Sequence, residues 1–184
     1  MKLQWKSRLH RMVVAGVFAA LLAVLSQISI PLPTGIPVTL QTFAVALCGF
    51  ALGPGLGAAA VGVYLALGAV GIPVFAGFSG GIGSFVGMTG GYLWAFLPMA
   101  FLCGLGARQK NRALALTVGF LGLVICHLCG SFQFALVSAV SPWNAFLLAS
   151  APYLLKDAAS LVAAYLAAAA ILRSLEKARL VTLV

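Results

Sequence analysis

Ala113-Leu-Ala-Leu-Thr-Val-Gly-Phe-Leu-Gly-Leu-Val-Ile-Cys-His-Leu-Cys-Gly-Ser-Phe-Gln-Phe-Ala-Leu-Val137 runs without a single charged side chain. A helix rises 1.5 Å per residue, so about 20 apolar residues cross the ~30 Å hydrocarbon core of a bilayer. This stretch reads as a membrane span. Working outward from it, apolar runs cut by Gly, Pro and charge predict six spans, at about 12–30, 38–53, 55–71, 86–106, 113–137 and 146–172. The second and third are separated only by Gly53-Pro54-Gly55, a tight-turn sequence, and are expected to form a close antiparallel pair. The composition agrees. Of 184 residues, 63% are apolar and 7% charged, whereas soluble domains carry roughly 25% charged residues. The expected fold is an all-α integral membrane protein, with residues 1–184 forming a single six-helix domain.

Charge placement gives direction. The 11 Lys and Arg against 2 Asp and Glu make a formal net charge of +9, a balance that elsewhere would point to nucleic acid. Lys2, Lys6, Arg8 and Arg11 precede the first span, Arg108, Lys110 and Arg112 lie between the fourth and fifth, and Arg173, Lys177 and Arg179 follow the sixth. All ten fall on one side, and the connections 31–37, 72–85 and 138–145 carry none. By the positive-inside rule both termini are cytoplasmic, and no nucleic-acid partner is expected. The apolar run from Met12 to Ile30 exceeds the roughly 7–15 residues of a signal-peptide core and reads as a retained span.

The eleventh cation, Lys156, sits beside Asp157 inside the sixth span, roughly 10 residues (~15 Å) from its outer end. A lone charge there costs about 2.5–3.5 kcal/mol, so such groups face a cavity, a partner or each other. A self-neutralising pair is one reading. Neighbours on a helix point about 100° apart, however, which makes them poor mutual partners. Tyr153, Lys156, Asp157 and Ser160 instead form one polar stripe by helical spacing. A cation, an acceptor and hydroxyls together suit a ligand with an anionic end and a hydrogen-bond-donating end.

The outer connections are uncharged but not plain. Pro31-Leu-Pro-Thr-Gly-Ile-Pro37 is stiffened by its prolines and leads into Thr39, Gln41 and Thr42 at the mouth of the second span. Between Gly68 and Gly91 glycines recur, including Gly80, Gly81 and Gly83, as a loop folding over a ligand requires. Gly83-xxx-Gly87-xxx-Gly91 equally fits close helix packing. Phe75, Phe78, Tyr92 and Trp94 are aromatic enough to wall an apolar ring, and Asn144 adds one polar group on the last outer loop. On the first span Ala15, Ala19 and Ala23 make a smooth face, either for internal packing or for docking another membrane subunit.

Catalytic sets are thin. Cys126-His127-Leu128-Cys129 has only half a zinc pattern, and its residues read as buried packing. No phosphate-binding loop occurs, so energised work requires a partner or an ion gradient. No cofactor, metal or catalytic residue is expected.

The chain resembles the BioY family, the biotin-binding S components of energy-coupling factor (ECF) transporters. The resemblance covers essentially the whole chain. It is carried by Ile30-Pro-Leu-Pro-Thr-Gly-Ile-Pro-Val-Thr-Leu-Gln-Thr42, Leu67-Gly-Ala-Val-Gly-Ile-Pro-Val-Phe75, Thr89-Gly-Gly-Tyr-Leu93, Pro152-Tyr-Leu-Leu-Lys-Asp157 and the Ala15-xxx-Ala19 pattern. It implies an S-component-like bundle in a prokaryotic cell membrane that captures biotin from outside. Release inward would need a transmembrane coupling protein, docked on the alanine face, and two ABC-type ATPases. It further implies that Asp157 contacts the ligand, with Thr39, Gln41, Thr42, Phe75, Gly80, Gly81, Gly83 and Tyr92 around it. In one respect the chain departs from the family pattern. A lysine is expected three residues after the acid, where Ser160 stands, and here Lys156 precedes the acid; its expected role is to meet the valerate carboxylate. An S component for another small vitamin, and an ion-coupled carrier using Lys156 and Asp157, are the competing readings.

Overall fold

The computed structural model describes residues 3–5, 7–30, 36–177 and 181–183, so most of the proline-rich stretch 31–37 lies outside the described residues. In chain order the elements are β1 (Leu3–Trp5), α1 (Arg8–Ser26), β2 (Ser29–Ile30), β3 (Val38–Thr39), α2 (Gln41–Leu52), α3 (Pro54–Ala69), α4 (Gly83–Val86), α5 (Gly90–Ala107), α6 (Arg112–Ser138), α7 (Pro142–Ala149), α8 (Leu154–Lys177) and β4 (Val181–Leu183). The expected all-α membrane architecture is what the chain forms, with two small two-stranded ribbons added. One of these pairs β1 antiparallel with β4, joining the two ends of the chain. The other pairs β2 with β3 beside the start of α2.

Among the described residues, α1, α5, α6 and the stretch Pro142–Lys177 are long and apolar enough to cross a membrane, and the chain is a multi-pass membrane protein. Helices α2 and α3 are apolar but shorter, with 12 and 16 residues, or ~18 and ~24 Å. They form the expected tight pair. Gly53 turns the chain at φ +79°, a left-handed value natural to glycine, and Pro54 opens α3 at its first position. Large apolar side chains pack inside (Tyr64, Phe50, Leu22, Met99, Leu161), while Val17, Val24, Phe101, Leu121, Phe132, Leu136 and Leu166 face outward. Outward-facing apolar residues on every long helix are what a lipid solvent selects.

One expectation is corrected here. The predicted sixth span is not one helix. Ser150 and a 3-10 turn at Ala151–Tyr153 divide α7 from α8, because Pro152 offers no N–H and its ring obstructs the preceding turn. Asp157 therefore lies in the first turn of α8 rather than deep within a continuous helix. On α1 the alanine face was expected to serve either internal packing or docking. Ala15 and Ala19 are buried and Ala23 is half-buried against the core, so the alanine face is used to bring α1 close to α2 and α3. The outward face carries Val13, Gly16, Val17, Ala20 and Val24.

Of the three spaced glycines, only Gly91 sits where an added Cβ would meet another helix. It presses on the α6 backbone at Cys129, while a side chain at Gly83 would meet open space.

Candidate ligand-binding site

The start of α2, the segment 75–89, the start of α5, His127 of α6 and the start of α8 converge on a cavity of about 300 Å3. It lies beside Thr89, Tyr92, Leu93 and Phe96 at the N-terminal part of α5. Arg108, Lys110 and Arg112 follow the opposite end of that helix. The cavity thus opens at the end of the bundle away from this basic loop. Its volume is at the low end of small-molecule sites.

Asp157 is the most buried charge on the lining. Its Oδ1 forms an ion pair with Lys156 Nζ, and its Oδ2 faces His127 Nε2 at 3.3 Å. Neither buried atom, Oδ1 nor Nε2, has a well-aligned hydrogen bond, so Oδ1 retains lone-pair capacity for an incoming donor. Lys156 Nζ also donates to the Thr39 carbonyl at 2.9 Å. Adjacent residues do pair here, contrary to the expectation from helical directions. At the first turn of α8 the lysine stem curls back towards β3, where a strand carbonyl supplies a second partner.

His127 is held from behind. Its Nδ1 lies 3.0 Å from Ser150 Oγ, and Ser150 Oγ is 2.7 Å from Ser131 Oγ and 3.0 Å from the Tyr92 hydroxyl. Tyr92 donates to the Ala149 carbonyl at 2.5 Å. The break between α7 and α8 is what sets fully buried Ser150 at the hub of this cluster. Gly130 is needed beside it, because a Cβ at that position would run into the Tyr92 ring.

A second chain of hydroxyls fixes Gln41. Ser26 Oγ donates to the Leu22 carbonyl at 2.6 Å, so the Tyr64 hydroxyl, 2.9 Å from Ser26 Oγ, donates to it. The Tyr64 oxygen is then the acceptor for Gln41 Nε2 at 2.7 Å. This leaves Gln41 Oε1 as an acceptor next to Thr39 Oγ1, 3.4 Å away. The apolar wall is aromatic. Phe75 stands edge-on to Tyr64 at 5.3 Å and to Phe85 at 5.6 Å, with its ring filling the space a side chain at Gly68 would take. The loop carrying Phe75 is tied to the end of α1, where Gln27 Nε2 donates to the Val74 and Phe75 carbonyls at 3.0 and 3.1 Å and Gln27 Oε1 accepts from Phe78 N at 3.0 Å. Gln133 Nε2 likewise donates to the Phe85 and Gly87 carbonyls at 2.7 and 2.8 Å. Tyr153 donates to the Ile36 carbonyl at 2.6 Å, closing the remaining side.

Of the residues singled out in the sequence, Thr39, Gln41, Thr42, Phe75, Tyr92, Tyr153, Lys156 and Asp157 line the cavity. Gly80, Gly81, Gly83, Asn144 and Ser160 are not among the lining residues. Gly80 and Gly81 shape the loop instead. A side chain on Gly80 would strike the Ile72 carbonyl, and Gly81, at φ +89°, donates its N–H to the Gly68 carbonyl at 2.6 Å. Asn144 is exposed on α7, and Ser160 is half-buried one turn along α8. Sequence reasoning missed His127, Ser79, Ser84 and Thr89 on the lining, and Ser26, Gln27, Tyr64, Ser131, Gln133 and Ser150 behind it. The available signal was a polar side chain within an apolar run, which His127, Gln27 and Gln133 all satisfy.

A family model described as the BioY family matches residues 1–177. The chain belongs to the BioY family. Other BioY proteins similar to it include the probable biotin transporter BioY of Pyrococcus horikoshii, 43% identical over 77% of this chain and 83% of that one. The biotin transporter BioY of Thermotoga maritima is 46% identical over 67% of this chain and 73% of its own. Among solved structures, the S-component for biotin from an ECF-type ABC transporter superimposes with a TM-score of 0.80 at 26% identity, covering 92% of each chain. This BioY chain therefore has the S-component fold, and its curated relatives are named as transporters rather than enzymes.

Proposed function

We propose that this chain is the biotin-binding S component of an ECF-type transporter, taking biotin from outside into the cavity and releasing it inside. On this reading it crosses the cytoplasmic membrane of a prokaryote six times with both termini inside. A transmembrane coupling protein and two ABC-type ATPases would supply the energy. The observation that carries the reading is the cavity at the end remote from Arg108–Lys110–Arg112, closed by aromatic rings and holding an ammonium and a carboxylate side by side.

Biotin's chemistry suits that arrangement. A cyclic urea presents a carbonyl acceptor next to an N–H donor on one edge. Lys156 Nζ and Asp157 Oδ1 offer the complementary donor and acceptor. Gln41 Oε1 offers a second acceptor for the other ureido N–H, and the Phe75 wall covers the sulfur ring. Since Lys156 is held against Asp157 and the Thr39 carbonyl, it belongs to the ureido pole. This revises its expected pairing with the valerate carboxylate, which the valerate chain places several bonds away. Calorimetric titration of the detergent-solubilised protein, with thiamine and riboflavin as controls, is expected to give saturable heat with biotin alone. The absence of heat with biotin would refute the assignment.

A further inference from the structure

Residues 70–89 form one wall of the cavity, through Phe75, Ala76, Ser79, Ser84, Gly87 and Thr89. Without a single charge, the segment nonetheless has two faces. Phe75 and Phe85 point inward, at 2% and 7% exposure, whereas Phe78, Ile82 and Val86 are exposed at 71%, 70% and 67%. Val70, Ile72 and Met88 extend the outward face. A connecting loop in water does not accumulate such side chains, and contiguous apolar surface of this kind marks an interaction site.

Three observations identify what covers it. The outward face continues into that of α5, where exposed Trp94 packs on Phe85 at 4.9 Å between ring centroids, with exposed Phe101 two turns further along. Tryptophan collects at the membrane–water boundary, so Trp94 places the segment at that level. The patch also lacks the polar rim of a protein–protein interface, for its exposed hydroxyl, Ser79, donates within its own loop to the Ala76 carbonyl at 2.9 Å. We propose that residues 70–89 are seated in the outer-leaflet lipid interface, with Phe78, Ile82 and Val86 among the upper acyl chains, so that this wall of the ligand cavity is backed by lipid. Swinging the wall outward would carry those side chains against lipid rather than into water, and the bilayer would act as part of the closure. The inference rests on the membrane placement of the chain and not on the identity of the ligand.

The test uses the ligand-free protein in phosphatidylcholine nanodiscs, where both faces are accessible. Cys129, the exposed cysteine, is replaced by Ala, and the other three are buried. A nitrobenzoxadiazole label is then placed at Ile82→Cys or Phe78→Cys, with Gln109→Cys in the exposed loop after α5 as the aqueous reference. A lipid spin-labelled near the top of its acyl chain is expected to quench the Ile82 and Phe78 labels several-fold more than the Gln109 label, with aqueous iodide showing the reverse order. Iodide quenching at Ile82 and Phe78 equal to that at Gln109 would overturn the proposal. So would shielding from iodide that appears only after a coupling protein is added, which would assign the face to a protein partner.

Discussion

Replacing Asp157 with Asn tests the site most sharply, because it changes charge and hydrogen-bonding role while keeping shape. The carboxylate is nearly inaccessible, at 7% side-chain exposure, and meets Lys156 on one oxygen and His127 on the other. An amide group must present its NH2 to one of these two nitrogen groups, so the variant loses an acceptor whichever way it turns. A hydrogen bond to a charged group contributes about 1.5–3 kcal/mol, which corresponds to about a ten- to hundredfold rise in Kd for a ligand donating to Oδ1. Lys156, at 30% side-chain exposure, keeps its Thr39 carbonyl partner and access to water, so only a small loss of fold stability is expected. Calorimetry with biotin on purified wild-type and Asp157→Asn protein, with a thermal unfolding scan of each as the folding control, measures both quantities. A folded variant with wild-type affinity would show that the carboxylate serves structure alone, and the hydrogen-bonding argument for the ureido pole would fail.

Two further outcomes follow from contacts around the cavity. Gln27→Ala removes the amide that ties α1 to Val74, Phe75 and Phe78; with each lost bond contributing about 0.5–1.5 kcal/mol, stopped-flow measurements should show faster ligand dissociation with association little changed, and an unaltered dissociation rate would mean the loop is held by its aromatic packing instead. Ala19→Leu forces extra carbons into a site only 2% exposed, and overpacking of this kind costs about 1–3 kcal/mol; a lowered unfolding temperature is expected, whereas an unchanged one with lost binding to a coupling protein would return the alanine face to a docking role.

The candidate site was legible in part. Lys156 and Asp157 stood out because a charge in an apolar helix is costly wherever the helix goes, and Thr39, Gln41 and Thr42 because hydroxyls and an amide cluster at the mouth of a span. His127 did not stand out, because its partner is 30 positions away and the adjacent cysteines offered a packing explanation. Gln27, Tyr64 and Ser150 reach the cavity only through the lining residues they hold, Phe75, Gln41 and His127, and no local pattern separates such a residue from an isolated polar side chain in a core. The outer glycines were legible as loop formers, but not as residues that shape the loop from outside the lining.

Hydropathy and charge are summed along the chain and act before any helix meets another. The amino-acid order alone therefore determined that this is a multi-pass helical membrane protein, and it collected ten cations into three groups that predict its orientation. Helix rotation and helix breaks depend on what packs alongside. Only the tertiary structure decided that the alanine face of α1 turns inward, that Pro152 divides the last span and thereby sets Ser150 behind His127, and that Lys156 curls back to Thr39 and closes on its own neighbour Asp157. Each of these depends on a partner distant in sequence, whose position is fixed only once the helices have packed.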